Sequence, residues 1–326
     1  MTTLSHSPRR GLTWAVLRLH RVPLWVWAVM VIAGAGGLIW LYALGQEAAP
    51  HRGHCGVGGA GTLEYAVEMR CERNELESAE MRYEGHELDF AQLLAWLPFG
   101  AACVGAALIG RELQRGTATL AWTQSVSPAR WLAVKLAVPA VALLGGMTAL
   151  TLMFRWVWVS GPDSGVNRWS SIYFNAAGSV GPAYVLLGLM LGALAALLTR
   201  RTLPAMGLAL VGIGLAYNLG DGVRSSLWPA SEVRGPWDAA LNHVYQLDFG
   251  MIMESGKHVS GLDCTDQAVP GDLSTCLSDH GAVDFYAKFH PTSHYWPIQL
   301  VETGIVLALA AAAVAAAFWV LRRRLP

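Results

Sequence analysis

Charge is what this sequence lacks most. Only 14% of its 326 residues are Asp, Glu, Lys or Arg, against 54% hydrophobic residues, whereas an ordinary soluble domain carries roughly 25% charged residues. A chain so poor in charge cannot cover its surface for water, and a lipid-facing exterior explains the deficit. The pattern Gly-x-x-x-x-Gly-Lys-Ser/Thr is missing, and its nearest fragment, Gly256–Lys257, has the wrong spacing, which argues against ATP binding through that loop. His-Glu-x-x-His is missing too. His290 and His294 stand four apart, but Pro291 interrupts the helix that would align them and no Glu follows the first histidine, which argues against a zinc protease. His51, His54 and Cys55 carry chelating groups at short spacing, but a disulfide would consume the thiol, and no metal site is assigned.

What the sequence has is long apolar runs. Six of them, near residues 24–44, 91–110, 131–157, 179–198, 203–219 and 297–321, suffice to cross a hydrocarbon core of ~30 Å, for which about 20 helical residues are needed. The expected fold is an all-α integral membrane protein of six transmembrane helices. The first run is too long for a signal-peptide apolar region and no small-residue cleavage pattern follows it, so it is read as a retained helix. Residues 1–23 precede it as a basic amphipathic elbow, with Leu12, Ala15, Val16 and Leu19 on one face and Arg10, Arg18 and Arg21 on the other, suited to lying on the inner membrane surface.

Basic residues set the expected orientation. Arg9, Arg10, Arg18, Arg21, Arg111, Arg115, Arg130, Lys135, Arg200, Arg201 and Arg322 to Arg324 fall on one side, together with only one acidic residue, Glu112. The bias toward the cytoplasm predicts that both termini lie inside. The tail is then 322–326, and the outside loops are 45–90, 158–178 and 220–296. The first continues through an acidic stretch, Glu64 to Asp89, that reads as helical, and the last is expected to be partly re-entrant, near Asp238 to Met253. Two cysteines fall in the first loop and two in the last, where an oxidising compartment permits disulfides. Cys55 with Cys71 and Cys264 with Cys276 is the preferred of three connectivities, leaving Cys103 in the second helix.

Between the second and third helices, segment 111–130 carries Ser127 and Pro128, an N-cap and first-turn pair that should start the third helix. Before it, Leu120, Ala121 and Trp122 form an apolar cluster too short to fold alone, next to Arg115 and a flexible Gly116. Such a cluster needs a partner or the lipid interface. Gly188 and Gly192 supply close-packing positions on the fourth helix. Gln299 and Glu302 share a face inside the sixth run, where an ionisable residue is a functional candidate by default; Glu302 either lies near enough to the outer interface to reach water or a helix end, or serves as a path or gate residue.

The stretch Gly110 to Leu136 resembles the type-2 family of ATP-binding cassette (ABC) exporter permeases, especially the form common in actinobacteria. A second match is FYAKFHPTSHYWPIQLVETGI, in which Tyr286, His290, Pro291, Tyr295, Trp296, Gln299 and Glu302 look like that family's approach to its last helix. The resemblance implies a permease subunit without catalytic residues of its own, with Arg115, Leu120, Ala121 and Trp122 as the coupling contact to a separate ATP-binding subunit. It further implies a second permease chain, identical or homologous, membrane lipid around both, and a cargo that is an amphipathic drug, antibiotic, peptide or lipid. ATP and Mg would sit on the partner; no cofactor is expected on this chain and no nucleic-acid partner. A membrane sensor or accessory protein, and an intramembrane lipid-modifying enzyme, are the alternatives.

The orientation is testable. In a background without native cysteines, a membrane-impermeant thiol reagent applied to intact cells should label cysteines placed at Glu75 and Asp272. It should reach one placed at Arg200 only after the cells are opened.

Overall fold

The computed structural model describes residues 21–48, 63–118, 127–161, 167–235, 244–260, 277 and 280–324, with residues 48 and 63–81 described by backbone alone. Residues 1–20 of the proposed elbow, Leu120, Ala121, Trp122 and the side chains of Cys55, Cys71, Cys264 and Cys276 lie outside the described residues, while Arg21 to Pro23 open the first helix. The order is α1 (Arg21–Ala48), α2 (Leu63–Arg115), α3 (Pro128–Ser160), α4 (Ser171–Ala177), α5 (Val180–Thr199) and α6 (Thr202–Arg224). Strands β1 (Ser231–Arg234), β2 (Tyr245–Met253), β3 (His258–Ser260) and β4 (Ala282–His290) follow, and then α7 (Tyr295–Arg324). Six of these helices, α1, α2, α3, α5, α6 and α7, are long and apolar enough to cross a membrane.

The chain divides into two units. One contains residues 1–164, 172–218 and 303–326, the other residues 165–171 and 219–302.

In the first unit the most extensive pairing is between α2 and α5. Helix α5 is the central one, 83% buried over its apolar window against 11% for α1. Small residues explain how closely it packs. A Cβ added at Gly188 would strike the Pro98 carbonyl, one at Gly192 the Ala102 carbonyl, and one at Gly105 the Leu189 carbonyl. Only residues without a side chain let two helix backbones come this near. Tyrosine hydroxyls tie α6 to the pair: Tyr217 donates to Ala95 O at 2.9 Å and Tyr184 to Ala216 O at 3.3 Å. Trp27 of α1 donates from Nε1 to Ala142 O of α3 at 2.8 Å, beside Gly146, where a Cβ would meet the same indole.

Helix ends follow local chemistry. Ser127 caps α3 by accepting from Arg130 N, with Pro128 in the first turn, where a missing N–H costs nothing. Gly116, at φ +71°, takes the left-handed conformation that follows α2, which glycine adopts without steric penalty. Arg200 closes α5 at φ 55°. Glu112, the single acid among that group of basic residues, pairs with Lys135, whose side chain is buried. That partner is the physical reason an acid sits there.

Helix α2 is 53 residues long, about 80 Å at 1.5 Å per residue. The acidic stretch of the first loop is therefore continuous with the second spanning helix.

The second unit adds what the hydropathy pattern did not draw, a four-stranded antiparallel sheet in the order β1-β4-β2-β3. Within the stretch Asp238 to Met253, residues 245–253 form strand β2, paired with β4 from Tyr245↔His290 to Met253↔Ala282. Strands β1 and β3 are the sheet's edges, and open sheet edges are not viable where they would face lipid. A small core of Met251, Ala282 and Phe285 supports it, with Met253 and Leu277 against it. Asp248 ties three strands, accepting from Tyr286 Oη at 2.9 Å and Ser260 Oγ at 3.1 Å. Desolvation alone would raise its carboxyl, but these hydrogen bonds outweigh it and hold Asp248 below the usual range.

The α2–α5 contact gives a sharp prediction. Gly192→Ala adds one methyl group where two backbones meet, so it should cost about 1–3 kcal/mol as an overpacking change, read as a lower unfolding midpoint in detergent. Gly207→Ala on α6, with open space around its Cβ, should be neutral or stabilising by up to about 1 kcal/mol. Equal midpoints for both would mean that the α2–α5 face is not packed this way.

Candidate functional site

The second unit holds a buried charge cluster built from the end of α6 and the start of α7. Arg224 lies in the last turn of α6, and its guanidinium forks onto Glu302: Nε to Oε2 at 2.9 Å and Nη2 to Oε1 at 3.2 Å. The side chains are 1% and 2% exposed. A third hydrogen bond runs from Nη1 to Asp221 Oδ1 at 2.9 Å, one turn back on α6. Asp221 also accepts from Ser171 Oγ. The planar guanidinium matches two carboxylates bidentately and sideways at once, which an ammonium could not.

Two carboxylates against one guanidinium leave an excess negative charge. It rests on Asp221, whose side chain is half-exposed, while the fully buried pair is balanced. A charge buried in a membrane-spanning helix is expensive, and arrangements that persist bring their own partners. Glu302 is buried and held by Arg224, which stands in the last turn of α6.

An aromatic group belongs to the same unit. Trp169 is buried, stacks on Tyr245 with ring centroids 5.3 Å apart, and meets Tyr295 edge-on. His290 lies against Trp169 and Tyr245 and hydrogen-bonds Ser225 O through Nε2 at 3.0 Å. Gln299 is buried and donates to Tyr295 Oη at 3.3 Å. The Tyr245 phenol is pushed up chiefly by desolvation, with the Arg224 charge opposing and those of Asp221 and Glu302 assisting, so its acidity senses the charge cluster.

A second buried polar group lies in the first unit. Glu87 of α2 is fully buried, one turn beyond Tyr83. Tyr173 of α4 is buried, its ring tilted against those of Phe154 and Trp158, and its phenol is pushed up by desolvation and then by the Glu87 charge.

Of the residues singled out by sequence, Gln299 and Glu302 share the second unit, three residues apart on α7. Gly188 and Gly192 belong to the α2–α5 contact of the first unit. Arg115 is exposed in the last turn of α2. Cys103 is free and half-buried in α2. Sequence reasoning missed Arg224, Asp221, Ser171, Trp169 and Tyr245. The signal for the first two was the i,i+3 pair Asp221–Arg224, visible only if the fifth helix is carried past Leu219.

The profile of a family described as ABC-2 membrane transporter related matches residues 28–219, more than half the chain. The chain belongs to that family. The match covers most of α1 and all of α2 to α5, and it ends five residues before Arg224. No curated protein and no solved structure matches the chain. An ABC-2 permease is a membrane transport component, not itself a catalyst, and the family implies work with an ATP-binding subunit. The charge cluster and the sheet lie outside the matched stretch.

The cluster predicts a distinctive mutational pattern. Glu302→Leu strands a buried guanidinium and should cost about 3–5 kcal/mol, whereas pairing it with Arg224→Met, so that both buried charges go together, should recover most of that loss. Thermal unfolding of the purified variants checks this. A double variant as unstable as the sum of the singles would show that the two charges are not coupled.

Proposed function

We propose that this chain is the permease subunit of an ABC exporter, forming the path for an amphipathic or hydrophobic substrate while a separate subunit hydrolyses ATP. The observation that carries the reading is the family match, which runs through the helical body from α1 into α6. The Arg224–Glu302 pair supports a role for α6 and α7 in the path, because it is a costly buried interaction with two alternative fates: closed, as found, or opened with each partner facing water or cargo. On this reading Gln299 and Glu302 line or gate the path, and Arg224 is the gate partner. The protein lies in the cytoplasmic membrane with both termini inside and works with a second permease chain, identical or homologous, and two ATP-binding subunits that carry ATP and Mg.

The coupling contact is proposed at Arg115, Leu120, Ala121 and Trp122. Helix α2 ends at Arg115 and turns at Gly116, and α3 restarts with a capped first turn at Ser127. A short segment between two firm helix ends transmits a push that a long loop would absorb. Aromatic and arginine anchors dominate many such interfaces, at about 2 kcal/mol or more for a single truncation.

Trp122→Ala and Leu120→Asp should therefore reduce both co-purification of the ATP-binding subunit and substrate-stimulated hydrolysis, with membrane insertion unchanged. Wild-type values for both signals in both variants would remove the coupling assignment.

A further inference from the structure

The histidine pair at the head of α7 has a geometry that neither the charge cluster nor the family accounts for. His290 ends β4, Pro291 follows, and a 3-10 turn, Thr292–His294, leads into α7. This arrangement brings His290 Nδ1 within 3.2 Å of His294 Nδ1. The interruption at Pro291, which counted against a helical zinc motif, is what lets the two nitrogens converge.

Hydrogen bonding fixes the tautomer of the first ring. The Ser225 carbonyl can only accept, so the neutral His290 ring carries its proton on Nε2, 3.0 Å away, and presents a lone pair at Nδ1. The contact with His294 is then closed by a proton on His294 Nδ1, or by a cation shared between two lone pairs. A ring N–H given to a backbone carbonyl is the usual support of a metal-ligating histidine. Two imidazole nitrogens bound to zinc at ~2.0–2.1 Å in tetrahedral geometry stand about 3.3 Å apart, close to the spacing found. His290 is fully buried among the Trp169 and Tyr245 rings. His294 is half-exposed beside Trp228. One ligand is thus held in place and the other stands where an ion can enter.

We propose that His290 and His294 form a binding site for a zinc-class divalent transition metal, which their Nδ1 atoms hold as a chelate while water completes the coordination. Imidazole suits this class of ion and not calcium or magnesium. Among the described residues no third ligating side chain joins them, so the site fills reversibly. A bound ion replaces the shared proton and pins the end of β4 to the head of α7. Because Ser225 directly follows Arg224, the same His290 ring braces the backbone that carries the guanidinium of the charge cluster.

The test uses the full-length, untagged chain in detergent, stripped with chelator and titrated with Zn2+ by calorimetry. His294→Ala should remove one equivalent of zinc or weaken it at least about tenfold, and His290→Asn should do the same. His290 is buried and its truncation disturbs packing, so the half-exposed His294 variant decides if the other fails to fold. The equivalent lost in His294→Ala should also vanish from the wild type at pH 5, where imidazole takes up protons in competition with metal. Identical titrations for the wild type and His294→Ala, or persistence of that equivalent at pH 5, would overturn the site.

Discussion

Hydrocarbon offers no hydrogen-bond partner to a peptide group, and the architecture follows from that constraint. Among the described residues, six helices are long and apolar enough to cross a membrane, and in a helix each interior N–H and C=O is paired within its own segment. Among the described residues, the strands, whose outer edges β1 and β3 leave backbone groups open, lie in the segment between the fifth and sixth spanning helices. The two buried cations obey the same rule. Lys135 is buried only with Glu112 as its partner, and Arg224 only with Glu302 and Asp221.

The charge cluster is the strongest departure from an apolar interior, and its surroundings stabilise it. Three charge-assisted hydrogen bonds satisfy the guanidinium, and Ser171 adds a donor to the half-exposed carboxylate. Buried ion pairs of this kind add little net stability over apolar side chains of the same size, but removing one member is severe. What such a pair offers is discrimination between arrangements, since any displacement of α6 against α7 near these residues must expose or re-pair two charges.

Much of this was legible in the sequence, for a stated reason in each case. The six spanning helices were readable because membrane thickness sets a length that composition must match. The cap at Ser127–Pro128 was readable because capping is local. Glu302 stood out because an acid in an apolar run has few explanations. Its partner did not, because apolar character ends at Leu219. The helix then continues through two weak helix formers, Gly220 and Gly222, before reaching Arg224, and only contacts from distant residues show what it pairs with. The sheet was hidden for a similar reason. Strand β2 reads YQLDFGMIM, without clean alternation and with a register irregularity at Gln246/Asp248; its pairing with β4 spans a long stretch of chain that no local pattern encodes. The convergence of His290 and His294 depends on a strand end and a turn, and spacing alone argued the opposite.

The glycine contacts between α2 and α5 have a mechanical consequence. Gly105, Gly188 and Gly192 each sit against a carbonyl of the facing helix. Sliding either helix by one residue along its axis would bring a methyl or larger group, such as Ala106 or Leu189, into a space that holds no side chain. The two helices cannot ratchet past one another without first separating, and separation exposes backbone that nothing else covers. Within that unit α1 and α6 bury far less of their apolar length than α5 does, so the α2–α5 pair is the part whose register the rest must accommodate.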